Sequence, residues 1–128
     1  MAGFIQVNAD RLPVSYLNTQ INSEILYKFK VKCKERGYVL NNIIETFVIQ
    51  YSKDRYKLKE TNIYKWMEDN GETETLNCGI DKAAYNIFKN KVKDDGYYIK
   101  HIVNAFIEDF VNSDLVIEFT NRINEEDD

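Results

Sequence analysis

Cysteine and histidine are scarce in this chain. Its two cysteines, Cys33 and Cys78, stand far apart and form no Cys-x-x-Cys pair, and His101 is the only histidine. That excludes a recognisable zinc set, and the thiols read as reduced, small apolar groups. His101 reads as a surface polar residue. Long apolar runs are missing as well: none approaches the ~18 residues that span a bilayer. The first ten residues lack the charged-then-apolar order of a secretory leader. These absences predict a protein of the cytoplasm with no membrane partner. No nucleophile stands beside a base, and there is no phosphate loop or metal cluster. The expectation is therefore not an enzyme, with no cofactor, no metal and no evident small-molecule ligand.

What is present is enough apolar material for a core, 44% of residues, and 30% charged residues on a soluble chain. The net charge of -4 argues at first against a nucleic-acid partner. Its distribution argues otherwise. Residues 1–55 carry 8 basic and 5 acidic groups, whereas residues 113–128 carry 1 and 6. The positive excess lies in the first half and the negative charge in the tail.

The sequence also repeats itself. Residues 17–51 align without a gap to residues 76–110, at an offset of 59. Leu17/Leu76, Asn18/Asn77, Ile21/Ile80, Phe29/Phe88, Gly37/Gly96, Tyr38/Tyr97, Ile43/Ile102 and Phe47/Phe106 are identical. So are three lysine pairs, Lys30/Lys89, Lys32/Lys91 and Lys34/Lys93. Each copy has three parts. First comes an alternating segment with Leu17, Thr19 and Ile21 on one face and Tyr16, Asn18 and Gln20 on the other, the period of a strand. The copy places Leu76, Cys78 and Ile80 opposite Thr75, Asn77 and Gly79. Next comes a helix of about a dozen residues, N-capped by Asn22 or Asp81. Its stripe is Ile25, Phe29 and Cys33, or Ala84, Phe88 and Val92, and Gly37 or Gly96 ends it. Last is a second helix with a wide stripe: Leu40, Ile43, Ile44, Phe47, Val48 and Tyr51, or Ile99, Ile102, Val103, Phe106, Ile107 and Phe110.

One strand with two amphipathic helices cannot bury both stripes or satisfy its strand edges, but two copies can. Strand, helix, glycine turn and helix at these lengths resemble the ribbon-helix-helix superfamily, the MetJ/Arc/CopG-like DNA-binding proteins. The resemblance covers residues 16–51 and 75–110. It implies a mainly α fold with a two-stranded antiparallel β-ribbon, a tandem ribbon-helix-helix forming an intramolecular pseudo-dimer. Residues 1–128 would then be a single pseudo-symmetric module: repeat 1 at 16–52, an ordered crossover at 53–74, repeat 2 at 75–112, and a C-terminal extension with an acidic tail at 113–128. Tandem versions occur among virus-encoded regulators. The resemblance thus points to a virus- or plasmid-type transcriptional regulator, in the host cytoplasm if viral, with double-stranded DNA as partner. Many ribbon proteins also associate side by side along DNA.

Family members read the major groove with the outward residues of the ribbon. Carried over, the base readers are Tyr16, Asn18, Gln20, Thr75, Asn77 and Gly79. The family also grips phosphate with the N-terminus of the second helix, which places Leu40, Asn41, Ile99 and Lys100 there, with Lys28 and Lys82 from the first helices. Here the chain departs from the pattern, with Val39 and Tyr98 where a small hydroxyl cap is usual. Because Gln20 aligns with Gly79 and Tyr16 with Thr75, the operator is expected to be asymmetric, strong under repeat one and weaker under repeat two.

The crossover contains Tyr56, Leu58, Ile63, Tyr64, Trp66 and Met67, which predict a short packed helix ending near Asn70-Gly71. Trp66 reads as core or lid. The lysine run on the first helices reads mostly as a solvated face. Residues 4–7 could be a strand or an arm, and 113–123 a third helix or a partner-binding segment. An alternative to the DNA reading is a protein-interaction module, antitoxin-like or an inhibitor, binding a partner through the crossover or the extension.

Overall fold

The computed structural model describes residues 14–113. Segments 4–7 and 114–128 lie outside the described residues. Each repeat begins with the strand that the alternation predicts, β1 at Val14–Asn22 and β2 at Thr73–Asp81, and the two form an antiparallel pair. Leu17, Thr19, Ile21, Leu76, Cys78 and Ile80 are buried on one face. The other face looks outward, as the pleat requires.

Five helices follow among the described residues: α1 at Ser23–Arg36, α2 at Leu40–Ser52, α3 at Glu60–Glu68, α4 at Lys82–Asp94 and α5 at Ile99–Asn112. No loop separates strand from helix in either repeat. Asn22 closes β1 and accepts from the Ile25 N–H at 3.1 Å, and Asp81 closes β2 and accepts from the Ala84 N–H at 3.0 Å. Each cap satisfies a donor that the first helical turn leaves orphaned. At the far end Gly37 (φ +72°) and Gly96 (φ +87°) take the left-handed conformation that reverses the chain.

The helices pack crosswise, α1 against α5 and α2 against α4. At the centre the rings of Phe47 and Phe106 stack, 4.2 Å apart and 13° from parallel. Phe88, Tyr51, Tyr56 and Phe110 surround them edge-on or tilted. The helix expected in the crossover is α3. It lies on α5 with Ile63 and Trp66 buried, and the Trp66 indole donates to Glu108 Oε1 at 3.0 Å. Both cysteines are free and buried, and burial pushes each thiol up to about 11.

Three expectations need correction. The stripe of α1 is Leu26, Phe29 and Cys33, spaced i, i+3 and i+7, while Ile25 is only half-buried. Lys32 is not part of a solvated face: its ammonium donates to the carbonyls of Phe110, Val111 and Ser113, closing the C-terminus of α5. His101 is not on the surface but 6% exposed. The reason is that α5 is covered by α1, α3 and β1 together, so it is buried nearly all round.

Burial, with Lys100 beside it, holds the His101 imidazole below its ordinary value of 6.5, and Nδ1 has no hydrogen-bond partner among the described residues. The folded chain therefore keeps this ring neutral while the unfolded chain takes up its proton first as pH falls. Stability from this group is complete above about pH 6.5 and is lost as pH falls from there through the lower folded value. Denaturant titrations at pH 7.5 and 5.5 are expected to show a loss in acid that His101→Phe reduces. An equal loss in the variant would assign it to other groups.

Candidate nucleic-acid interface

A two-stranded ribbon has two free edges, and its unpaired backbone groups must find partners. On the β1 edge a single residue of α5 supplies two of them. The Asn104 side chain, fully buried, accepts from the Asn22 N–H at 2.9 Å and donates to the Gln20 carbonyl at 3.1 Å. On the β2 edge two residues of α2 divide the work. Asn41 donates to the Gly79 carbonyl at 2.9 Å, and Glu45 accepts from the Asp81 N–H at 3.0 Å. These clamps hold the ribbon on the helices with its outer face open.

On that face the six residues expected to read bases form three directly opposed pairs: Tyr16 with Gly79, Asn18 with Asn77, and Gln20 with Thr75. All are exposed except Gly79, which is half-covered. Its cover is Tyr16, itself 63% exposed, whose ring carbon Cε1 would lie 3.4 Å from a Cβ at position 79. The side chains of Asn18 and Asn77 make no hydrogen bond among the described residues. Gln20 is held instead: its Nε2 donates to Thr75 Oγ1 at 2.8 Å, and Thr73 Oγ1 donates to its Oε1 at 3.1 Å. Thr73 was missed in the sequence, although continuing the alternation two residues before Thr75 places it on the same face. The outward positions of both strands carry one acidic side chain, Asp81, which is engaged as a helix cap, and no lysine or arginine.

The expected phosphate contacts are placed unevenly. Neither α2 nor α5 has a side-chain cap. The first bonded amides are Asn42 and Ile43, to the Val39 carbonyl, and His101 and Ile102, to the Tyr98 carbonyl. The N–H groups of Leu40, Asn41, Ile99 and Lys100 therefore have no acceptor among the described residues. One N–H of the Asn41 side chain is engaged by Gly79, which leaves its second amide N–H and its backbone N–H for an anion. That contact ties the start of α2 to the Tyr16 end of the ribbon. Asn104 does the same for α5 at the Gln20 end, because its amide also donates to the Lys100 carbonyl at 2.7 Å. Lys100 and Lys82 are exposed, each in the first turn of its helix. Lys28 pairs with Glu24 at 3.2 Å in the open, a contact that water screens nearly to nothing.

No helix among the described residues is long and apolar enough to cross a membrane. Comparison with protein-family models, curated proteins and solved structures finds no match to this chain.

Proposed function

We propose that this chain is a sequence-specific double-stranded DNA-binding transcriptional regulator, two ribbon-helix-helix units in one chain that lay the β-ribbon into the major groove. The observation that carries the reading is the open outer face of the ribbon. It presents five polar and aromatic side chains and Gly79 at three opposed pairs of positions, with the amides of Asn18 and Asn77 unengaged at its centre. The groove is about 12 Å wide and admits such a ribbon, and Asn or Gln bonds adenine through N6 and N7.

Several contacts support the intramolecular pairing of two units. Asn18 and Asn77, 59 residues apart, face each other, and every other pair in the register has a counterpart at the same offset. Phe47 stacks on its own equivalent, Phe106. Glu45 and Asn104 are equivalents too, and each accepts from the N–H of the other unit's helix cap. The free amides at Leu40 and Asn41, and at Ile99 and Lys100, flank the two ends of the ribbon, where the backbone of a bound duplex would run.

Selection of bound duplexes from a random pool tests the reading, beside an Asn18→Ala, Asn77→Ala variant. A short enriched motif that the variant loses is the expected result, with affinity falling steeply as salt rises because phosphates are engaged. No enrichment at low salt would end the DNA reading and favour a protein partner.

A further inference from the structure

The repeat offset by itself puts one half-site under each repeat. The strand register does not allow that. Antiparallel pairing sets Tyr16 beside Gly79 and Gln20 beside Thr75, so each end of the ribbon draws on both repeats. The asymmetry runs between the ends, not between the repeats, and the two ends differ in chemistry.

At one end the Gln20 amide is fixed. One of its two N–H donors goes to Thr75 and one of its oxygen lone pairs accepts from Thr73. One donor and one acceptor remain. Exchanging the amide's oxygen and nitrogen, with the threonine hydroxyls turned to suit, leaves the same count. Adenine offers the complement in the major groove, N7 as acceptor and N6–H as donor. Guanine offers two acceptors, N7 and O6, and would set O6 against the amide oxygen. A free glutamine could turn both N–H groups to guanine. The two threonines remove that option and fix the side chain before DNA arrives.

At the other end Gly79 has no side chain to contribute, and the Tyr16 ring lies across it. The surface offered there is an exposed aromatic ring. Apolar groups in the major groove read the C5-methyl of thymine.

We propose that the ribbon reads its operator by two different chemistries, the Gln20 end taking an adenine through donor and acceptor under the control of Thr73 and Thr75, and the Tyr16–Gly79 end taking a thymine through its methyl group. Thr73 is then a positioning residue for specificity. The inference rests on the DNA-binding reading.

The test uses the full chain, its Thr73→Val and Tyr16→Ala variants, and base analogues in the selected duplex. Thr73→Val keeps the β-branched shape at an exposed strand position, and its fold is checked by denaturation. The expected motif has an A·T pair on each side of its centre. Thr73→Val flattens the preference on one side by on the order of tenfold, and Tyr16→Ala flattens the other. Substituting 7-deazaadenine, which lacks N7, weakens binding only on the Gln20 side. Deoxyuridine, which lacks the thymine methyl, weakens it only on the Tyr16 side, and Tyr16→Ala is indifferent to it. A motif whose two sides respond alike to the variants and analogues, or one that Thr73→Val leaves unchanged, overturns the proposal while leaving DNA binding intact. Absence of any motif from the unmodified chain removes both.

Discussion

Phe106→Ala is expected to destabilise the fold by about 3–5 kcal/mol, the range for truncating a buried aromatic ring. Phe106 is fully buried. Its ring stacks on Phe47 at 4.2 Å and meets Tyr56 and Phe110 at 5.5 and 6.1 Å. Because Phe47 comes from α2 and Phe106 from α5, the stack joins helices whose other main contacts lie elsewhere, α2 on α4 and α5 on α1. Truncation opens a void where the two halves of the core meet, and neither helix can close it without losing its neighbours on the far side. A domain of this size is stable by roughly 5–15 kcal/mol, so one residue governs a large share of the total. Urea denaturation reads the loss as a lower midpoint at unchanged slope. Phe106→Leu keeps most of the volume and is expected to fall well short of the alanine effect. A loss below about 2 kcal/mol for Phe106→Ala would show that the core does not depend on this stack.

Asn104→Ala is the second large effect, expected near 2–4 kcal/mol, because it strands two part-buried backbone groups of β1, the Asn22 N–H and the Gln20 carbonyl. The comparison with the β2 edge sharpens the expectation. There Asn41 and Glu45 share the work that Asn104 does alone. Glu45→Ala removes one bond at a half-buried position and should cost only about 1 kcal/mol. Amide hydrogen exchange localises the effect: protection at Asn22 should fall in Asn104→Ala and persist in Glu45→Ala. Equal costs for the two variants would mean that the edges do not depend on these side chains. The same substitution bears on the proposed reading surface, since Asn104 holds the backbone from which Gln20 projects.

Local features were legible because contiguous residues encode them. Period-two alternation at Leu17–Thr19–Ile21 and Leu76–Cys78–Ile80 marked the strands. Asn22 and Asp81 marked the helix starts, and Gly37 and Gly96 the reversals. The apolar cluster around Ile63 and Trp66 marked α3. Outward placement of Tyr16, Asn18, Gln20, Thr75 and Asn77 followed from the same alternation. Misreadings came where another element decides a residue's surroundings. His101 has the sequence neighbours of a surface residue and is buried because α5 is covered on three sides. Lys32 sits in a lysine run, yet its ammonium is held by carbonyls of Phe110, Val111 and Ser113, some eighty residues along the chain.

By itself, then, the sequence determined the elements, their caps and the fact that they come twice, because periodicity, capping and glycine conformation act within a few residues. Tertiary structure alone decided the rest. It set Tyr16 against Gly79 and Gln20 against Thr75, gave Asn104 both jobs on one edge and divided them between Asn41 and Glu45 on the other. The physical reason is one of range. Antiparallel register and edge satisfaction are settled between residues from 36 to 84 positions apart, where burial and hydrogen-bond geometry choose among pairings that local sequence leaves equal.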